Sequence, residues 1–304
     1  MILVQRARMI SFQHAKVTGL LKLGRNMAHG LRTNKTLAIG LFMILMIGLV
    51  ALVGPLLVDP DDARIGAYPA RLKPSAEHWM GTQQQGRDLL TVTMLAIPNS
   101  LKVGLIAGSV GLGIGIVFGL SAGYFGGRLD TIIKLASDTL IILPGIAILV
   151  LVAVSIRTMT VEMMALVVAS FAWMYPTRTI RAQTLTLRER GYVQVAKMNG
   201  MTGIGIVVRE IMPNLLPYIA AGFVGAVSGA MLATVGLEAL GLGPQNQFTL
   251  GMEIYWARFY GAILRGMWWW WMPPVIIIGL VFVALLITSM GMDQIVNSRL
   301  RRST

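Results

Sequence analysis

The sequence has no cysteine and little charge. Without cysteine, the chain can form neither disulfides nor thiolate metal sites. The three histidines, His14, His29 and His78, lie far apart without the spacing of metal ligands, so we predict no metal site. Only 13% of the residues are charged, whereas 55% are hydrophobic, and many of these stand in long apolar runs. This composition is typical of an integral membrane protein.

Motifs of soluble enzymes are also missing. The chain contains no G-x-x-x-x-G-K-[ST], H-E-x-x-H or G-x-S-x-G pattern, so we predict no catalytic residue and no ATP hydrolysis by this chain alone. No series of carboxylates runs through the apolar segments, which argues against an ion-coupled secondary transporter. A membrane scaffold without a transport path is a further alternative.

The net charge of +13 has its simplest explanation in membrane topology. Nucleic acid is the other partner that such a charge could suggest. Lysine and arginine gather on the cytoplasmic loops of membrane proteins, and we therefore predict no nucleic-acid partner. The N-terminal segment 1–36 is basic and lacks acidic residues, which also suits contact with anionic membrane lipid. We place it and the tail 292–304 in the cytoplasm.

Apolar runs long enough to cross a bilayer, which needs about 20 residues of helix, recur along the chain. They predict an all-α, polytopic membrane protein with six transmembrane helices. Even numbers of spans put both termini on the same side. The weakest run begins at Glu162 and ends at Pro176. The predicted spans are 37–58, 99–123, 132–154, 160–177, 215–237 and 272–291.

Loop charges orient these spans. The segment 178–213 carries mostly basic residues, whereas loop 59–98 carries basic and acidic residues in similar number. This asymmetry predicts that 178–213 is cytoplasmic and that 59–98 and 238–271 are extracytoplasmic. Residues 99–291 then form the core domain, with 37–58 as a separate first span.

Glycines recur at four-residue spacing in two predicted spans. Gly111, Gly115 and Gly119 share one face of the second span, and Gly225 and Gly229 share one face of the fifth. Glycine lets another backbone approach closely. The stripes therefore indicate either packing on a partner subunit along a translocation path or ordinary packing within this chain, and the spacing does not separate the two.

The stretch YVQVAKMNG, residues 192–200, indicates a short amphipathic helix in the cytoplasmic segment. We predict helix over 180–201, with Thr184 or Thr186 as N-cap and Gly200 as the stop. Val193, Ala196 and Gly200 would form a small apolar face. Such a face suits docking into a groove of a soluble partner, or a position among the lipid headgroups. The candidate coupling residues are Tyr192, Val193, Gln194, Val195, Ala196, Lys197, Gly200 and Pro213.

Two extracytoplasmic features are further candidates. Arg87 and Asp88 precede the second span, where they suit a local ion pair, a docking element or, for Asp88, a helix N-cap. Four tryptophans, among them Trp268 and Trp269, stand at the outer edge of the sixth span. They suit an interfacial aromatic belt or a surface that stacks on substrate.

Several stretches resemble the C subunits of dipeptide/oligopeptide permeases, a family of ABC importer permeases. GTQQQGRDL at 81–89, GYFGGRLD at 123–130, LEALGLG at 237–243 and VNSRLRR at 296–302 match its motifs in order. Gln194, Val195 and Ala196 stand at the Glu-Ala-Ala positions of its cytoplasmic coupling loop, and Gly200 and Pro213 match outright. The similarity extends over residues 36–302.

This resemblance implies a type I ABC importer permease fold and a set of partners. They are a second permease forming a heterodimer, two ATPase subunits and an extracytoplasmic solute-binding protein. Mg-ATP would bind to the ATPases, so no cofactor is expected on this chain. Helix 191–200 would be the coupling helix, and Pro213 would set the turn into the fifth span. The expected cargo is di- or oligopeptides, with oligosaccharides as the alternative.

Overall fold

A computed structural model describes residues 34–302 of the chain, with side chains as far as residue 294. Most of the predicted basic segment and the end of the tail lie outside the described residues. The described part is all-α, as predicted; its only β feature is an isolated bridge between Thr82 and Asp88. The helices are α1 Lys35–Val53, α2 Leu89–Phe125, α3 Gly127–Ile142, α4 Gly145–Val154, α5 Val161–Ala172, α6 Met174–Arg188, α7 Gly191–Met198, α8 Gly203–Ile206, α9 Met212–Ala239, α10 Leu250–Phe259 and α11 Trp268–Arg302.

Four helical segments in the described range are long and apolar enough to cross a membrane. They correspond to the first, second, fifth and sixth predicted spans. Several extend beyond the predicted bounds. The segments are Lys35–Leu56, Leu89–Phe125, Gly203–Ala239 and Trp268–Gln294.

The predicted third span, 132–154, is not one straight helix. α3 and α4 meet at an angle of 86° and qualify as a fifth span only if the bent pair is counted as one. The break falls at Leu143 and Pro144, where Leu143 adopts an extended backbone with ψ of 143°. Proline disfavours helical geometry in the residue before it, which explains the break.

The predicted fourth span, 160–177, is divided between α5 and α6 at Trp173. Pro176 lies in the first turn of α6 and has no N–H to donate to the carbonyl of Ala172, so the helical hydrogen-bond ladder is interrupted there. Neither helix alone is long enough to span a bilayer. The count of six spans therefore stays a prediction.

Helix α2 connects the two ends of the helix bundle. Its 37 residues correspond to about 55 Å, well beyond the ~30 Å apolar thickness of a bilayer. Leu89, at its start, packs in a cluster with Trp269 and Trp270, and we call this the tryptophan end. The rings of Tyr124 and Phe125, at the other end, lie against Gly203 beside α7. We call this the α7 end.

Candidate functional site

The predicted cytoplasmic helix is shorter than expected and is separate from α6. α6 ends at Arg188, and α7 begins after Arg190, whose backbone is extended with ψ of 146°. Thr184 and Thr186 are not N-caps. Both lie inside α6 and donate their hydroxyls to the carbonyls four residues earlier. The predicted continuous helix over 180–201 is therefore wrong.

Gly200 ends α7, as predicted. It has a φ of +74°, a conformation that side-chain-bearing residues rarely adopt. The N–H of Gly200 donates to the carbonyl of Lys197, and the N–H of Met201 donates to that of Ala196, at 3.0 and 3.1 Å. These bonds form a glycine-dependent C-terminal cap, so the end of α7 is fixed by backbone geometry.

The predicted docking face of α7 is turned inward. Val193 is fully buried and Ala196 is 7% exposed. Both belong to a cluster with Ile206 and Ile211 of the following helical segment and Leu215 of α9. This corrects the assignment from the sequence: Val193 and Ala196 anchor α7 to the helix bundle, because apolar neighbours in the same chain already cover them.

The opposite face of α7 is apolar and uncovered. Val195 is 56% exposed, Met198 is 85% exposed and Tyr192 is 38% exposed. Ile204 and Val208, just after α7, are also more than half exposed. We call these five residues the outer face of α7. Met198 was not among the candidates from the sequence, although its spacing of three from Val195 is the helical signal that could have identified it.

Polar and basic groups surround this outer face. Lys197 lies with Nζ 5.9 Å from the centre of the Tyr124 ring, and Gln194 Nε2 donates to the Arg188 carbonyl at 3.4 Å. Arg188 donates to the carbonyls of Gly123 and Tyr124 at the end of α2. Burial raises the pKa of the Tyr192 hydroxyl, so it remains neutral and adds no charge to the surface.

Pro213 does not form a turn. It lies in a continuous helical segment from Gly203 to Ala239, in which residues 207–211 form a π-helical turn. The N–H of Met212 donates to the carbonyl of Val207, five residues earlier. Such a widened turn accommodates a proline that cannot donate to the residue four positions before it. α7 is therefore followed, after the non-helical residues 199–202, by one continuous helical segment that ends at Ala239.

The glycines of α2 pack within the chain. A Cβ on Gly115 would lie 2.5 Å from Cβ of Pro176, and one on Gly119 would lie 2.8 Å from the carbonyl oxygen of Thr177. Gly111 likewise abuts Ala172. α2 can approach α5 and α6 this closely because each of the three glycines has only a hydrogen atom where other residues have a side chain. For this stripe, the structure therefore shows packing inside the chain.

The glycines of α9 lie in open space. Among the residues that the structure describes, no other helix or loop comes within 4 Å of the Cβ position of Gly225 or Gly229. Both line a cavity of about 500 Å³ between α6 and α9, which also contains Gly222, Ala226 and Tyr218. Its lining includes no charged residue. The same four-residue spacing thus produces a packed seam in one helix and the wall of a cavity in another.

Asp88 is the N-cap of α2. Its carboxylate accepts from the N–H of Thr91 at 3.0 Å and lies 2.9 Å from Nδ1 of His78. The hydrogen-bond partner of Asp88 is therefore His78 and not Arg87, which no sequence pattern identified because the two residues are ten positions apart. Arg87 instead stacks on Phe248, with its guanidinium carbon 5.2 Å from the ring centre.

The tryptophans divide between surface and interior. Trp268 is 53% exposed, whereas Trp269 is 7% exposed and Trp270 is fully buried. Trp270 donates its indole N–H to Glu253 at 3.2 Å, and burial raises the pKa of that carboxyl to about 7. Trp268, and to a lesser extent the partly buried Trp271, are placed for the predicted aromatic belt. Trp269 is not available to stack on a substrate, because the tryptophan end folds around it.

Comparison with known proteins places these features in a family. A family model described as binding-protein-dependent transport system inner membrane component matches residues 115–302. The dipeptide transport system permease protein DppC of Bacillus subtilis is 31% identical over 273 residues, which cover 90% of this chain and 84% of the relative. DppC of Alkalihalophilus pseudofirmus is 33% identical over 71% of this chain and 70% of its own length. The oligopeptide transport system permease protein OppC of Mycobacterium tuberculosis H37Rv is 31% identical over 57% of this chain and 60% of its own length.

Proposed function

Because the chain belongs to the family of binding-protein-dependent transport system inner membrane components, we propose that it is a permease subunit of an ATP-driven importer of di- and oligopeptides. The cargo class follows from the printed names of the relatives. The oligosaccharide alternative relied on stacking by the tryptophans. It gains no support from Trp269 and Trp270, which are buried. Hydrolysis of ATP is a task for other subunits.

We place the α7 end in the cytoplasm, with both termini on that side. Basic residues are concentrated near α7, whereas the loop that leads to Asp88 is mixed in charge, which supports this orientation. The tryptophan end then faces outward, where a solute-binding protein delivers cargo. A second permease pairs with this chain, two ATPases with bound Mg-ATP lie beneath it, and membrane lipid surrounds the bundle.

The outer face of α7 is the observation that carries the proposal. Val195 and Met198 expose apolar side chains on a helix that Val193 and Ala196 hold to the bundle. Exposed apolar groups on a rigid short helix suit a groove in a soluble protein. We assign that groove to an ATPase subunit. Movement of the ATPases would pass through α7 and the continuous helical segment Gly203–Ala239 into the membrane.

The test replaces Val195 and Met198 by glutamate and reconstitutes the complete transporter in proteoliposomes. We expect the ATPases to be lost on purification and vanadate-sensitive peptide uptake to cease, because charge is inserted into an apolar contact. The second permease should still co-purify. Leu264→Glu is the matched control: Leu264 is 93% exposed at the tryptophan end, and its variant should retain the ATPases. Full uptake by Val195→Glu/Met198→Glu contradicts the proposal.

Replacement of Gly200 by a bulky residue is a less selective test. Its φ of +74° means that any side chain strains the backbone. If such a variant lost uptake, two causes would contribute: a change in the shape of α7 and any loss of the ATPase contact.

A further inference from the structure

The cavity between α6 and α9 has one polar wall. Tyr175, Thr179 and Gln183 of α6 line it, and Gly222, Gly225 and Gly229 line the facing wall on α9. The only other side chain in the lining that carries a hydrogen-bonding group is Tyr218. The three α6 residues are four positions apart, so they share one face of the helix. We call them the polar ladder.

The ladder side chains have no hydrogen-bond partner within the residues that the structure describes. Other hydroxyls on α6 behave differently: Thr177, Thr184 and Thr186 each donate to the carbonyl four residues earlier. That internal bond is the usual way for a helical threonine to satisfy its hydroxyl. Thr179 leaves its hydroxyl available to the cavity, together with the Tyr175 hydroxyl and the Gln183 amide.

The spacing of the ladder fits an extended peptide. Four helical residues rise about 6 Å, so the three groups stand at roughly 6 Å intervals over about 12 Å. An extended chain rises about 3.3 Å per residue and presents peptide groups to the same side at every second residue, or about 6.6 Å. Hydroxyl and amide side chains both donate and accept, so each can bond either an N–H or a carbonyl of the main chain.

The facing wall leaves room for the side chains of such a peptide. No other element of residues 34–302 comes within 4 Å of the Cβ positions of Gly225 and Gly229. Side chains of an extended peptide alternate between opposite sides. No lining residue is charged, so the cavity has no fixed charge that would select for or against charged side chains of the cargo.

We propose that Tyr175, Thr179 and Gln183 bind the main-chain amide groups of an extended peptide during translocation. The inference rests on the proposed function and adds the chemical class that the path recognises, which is the peptide backbone rather than any side chain. A single transporter can then carry peptides of many sequences.

The test removes the hydrogen-bonding groups and keeps the volumes: Tyr175→Phe, Thr179→Val and Gln183→Leu, combined in the complete transporter in proteoliposomes. The probes are tetra-alanine and the same peptide methylated on its internal nitrogens, each supplied on saturated binding protein. Uptake is expressed per ATP hydrolysed. Thr186→Val is the matched control, because its hydroxyl is already bonded to Ala182 and does not line the cavity.

We expect the wild type to import tetra-alanine better than the methylated peptide, and the triple variant to lose most of this preference. Uptake of tetra-alanine by the variant should fall at least about fivefold, because each lost hydrogen bond is worth a factor of roughly two to ten. ATP hydrolysis and co-purification of the partners should persist. The control should match the wild type.

Two outcomes would overturn the proposal that the polar ladder binds the peptide backbone. One is an unchanged preference and unchanged uptake in the triple variant. The other is loss of the second permease on purification, which would mean that the cavity wall is a subunit contact. If Val195→Glu/Met198→Glu abolishes uptake in the same assay, the proposed function stands even though the ladder fails. If neither set of variants affects uptake, the proposed function fails as well.

Discussion

The glycine stripes of α2 and α9 have the same spacing in the sequence and opposite surroundings in the fold. Gly111, Gly115 and Gly119 are each in contact with α5 or α6, whereas Gly225 and Gly229 line the cavity between α6 and α9. In both stripes, glycine leaves one face of the helix without side chains. Whether that face becomes a packed seam or a wall depends on which helix lies opposite. The comparison teaches that small residues at helical spacing create a helix face without side chains, but they do not show whether another helix packs on that face.

The largest expected effect is on the packed stripe. Gly115→Leu should prevent normal folding, because even the first side-chain carbon would lie 2.5 Å from Pro176. Overpacking of this kind costs about 3 kcal/mol. Size-exclusion profiles and thermal unfolding in detergent measure the effect. Gly225→Leu is the control in the open stripe and should accumulate as a monodisperse protein. Equal stability of the two variants would break the comparison.

The next effect is on transport rather than folding. Gly229→Leu should fold and bind the partner subunits, but uptake should fall to a small fraction of the wild-type rate, because leucine would fill part of the cavity of about 500 Å³. Peptide uptake in proteoliposomes, normalised to the amount of assembled transporter, gives the measurement. Gly113→Leu, a glycine of α2 whose Cβ position is also open but does not line the cavity, is the control. Normal uptake by Gly229→Leu would exclude this part of α9 from the path.

The smallest expected effect is on the free energy of unfolding, and its sign should differ between the two stripes. Gly111→Ala should destabilise the isolated chain by about 1–3 kcal/mol, because its new methyl group meets Ala172. Gly225→Ala should stabilise it by about 0.5–1 kcal/mol, because alanine is the better helix former and has free space there. Adding Ala172→Gly should recover part of the loss in Gly111→Ala. Thermal unfolding of the three variants and the wild type measures these changes; equal signs for Gly111→Ala and Gly225→Ala would refute the assignment.

The short helix near residue 196 shows how far sequence reasoning reached. Its existence and its end at Gly200 were predicted correctly from amphipathicity and from the position of glycine. The apolar face that we expected to dock is buried. Val193 and Ala196 form the more compact apolar face, yet Ile206, Ile211 and Leu215 cover it. Periodicity identifies two faces of a helix, but only the neighbouring elements show which of them is already covered.

The tryptophan end shows the same limit. The N-cap role of Asp88 followed from a local rule and is confirmed by its bond to Thr91. Its pairing with His78 and the burial of Trp270 against Glu253 required contacts between residues that no local pattern relates. The bend at Pro144 lies between these cases. The proline indicated where the helix breaks, but its position in the sequence did not predict the angle of 86°.

The sequence by itself determined that this is an all-α membrane protein of the permease family, because apolar runs, cap residues and motifs act through neighbours in the chain. Tertiary structure alone decided which glycines pack and which are open, which face of α7 is available, and that three uncharged polar side chains of α6 line one cavity. The physical reason is that a residue is buried only where another surface packs on it. The sequence specifies the side chains of each surface but not which other surface will cover them.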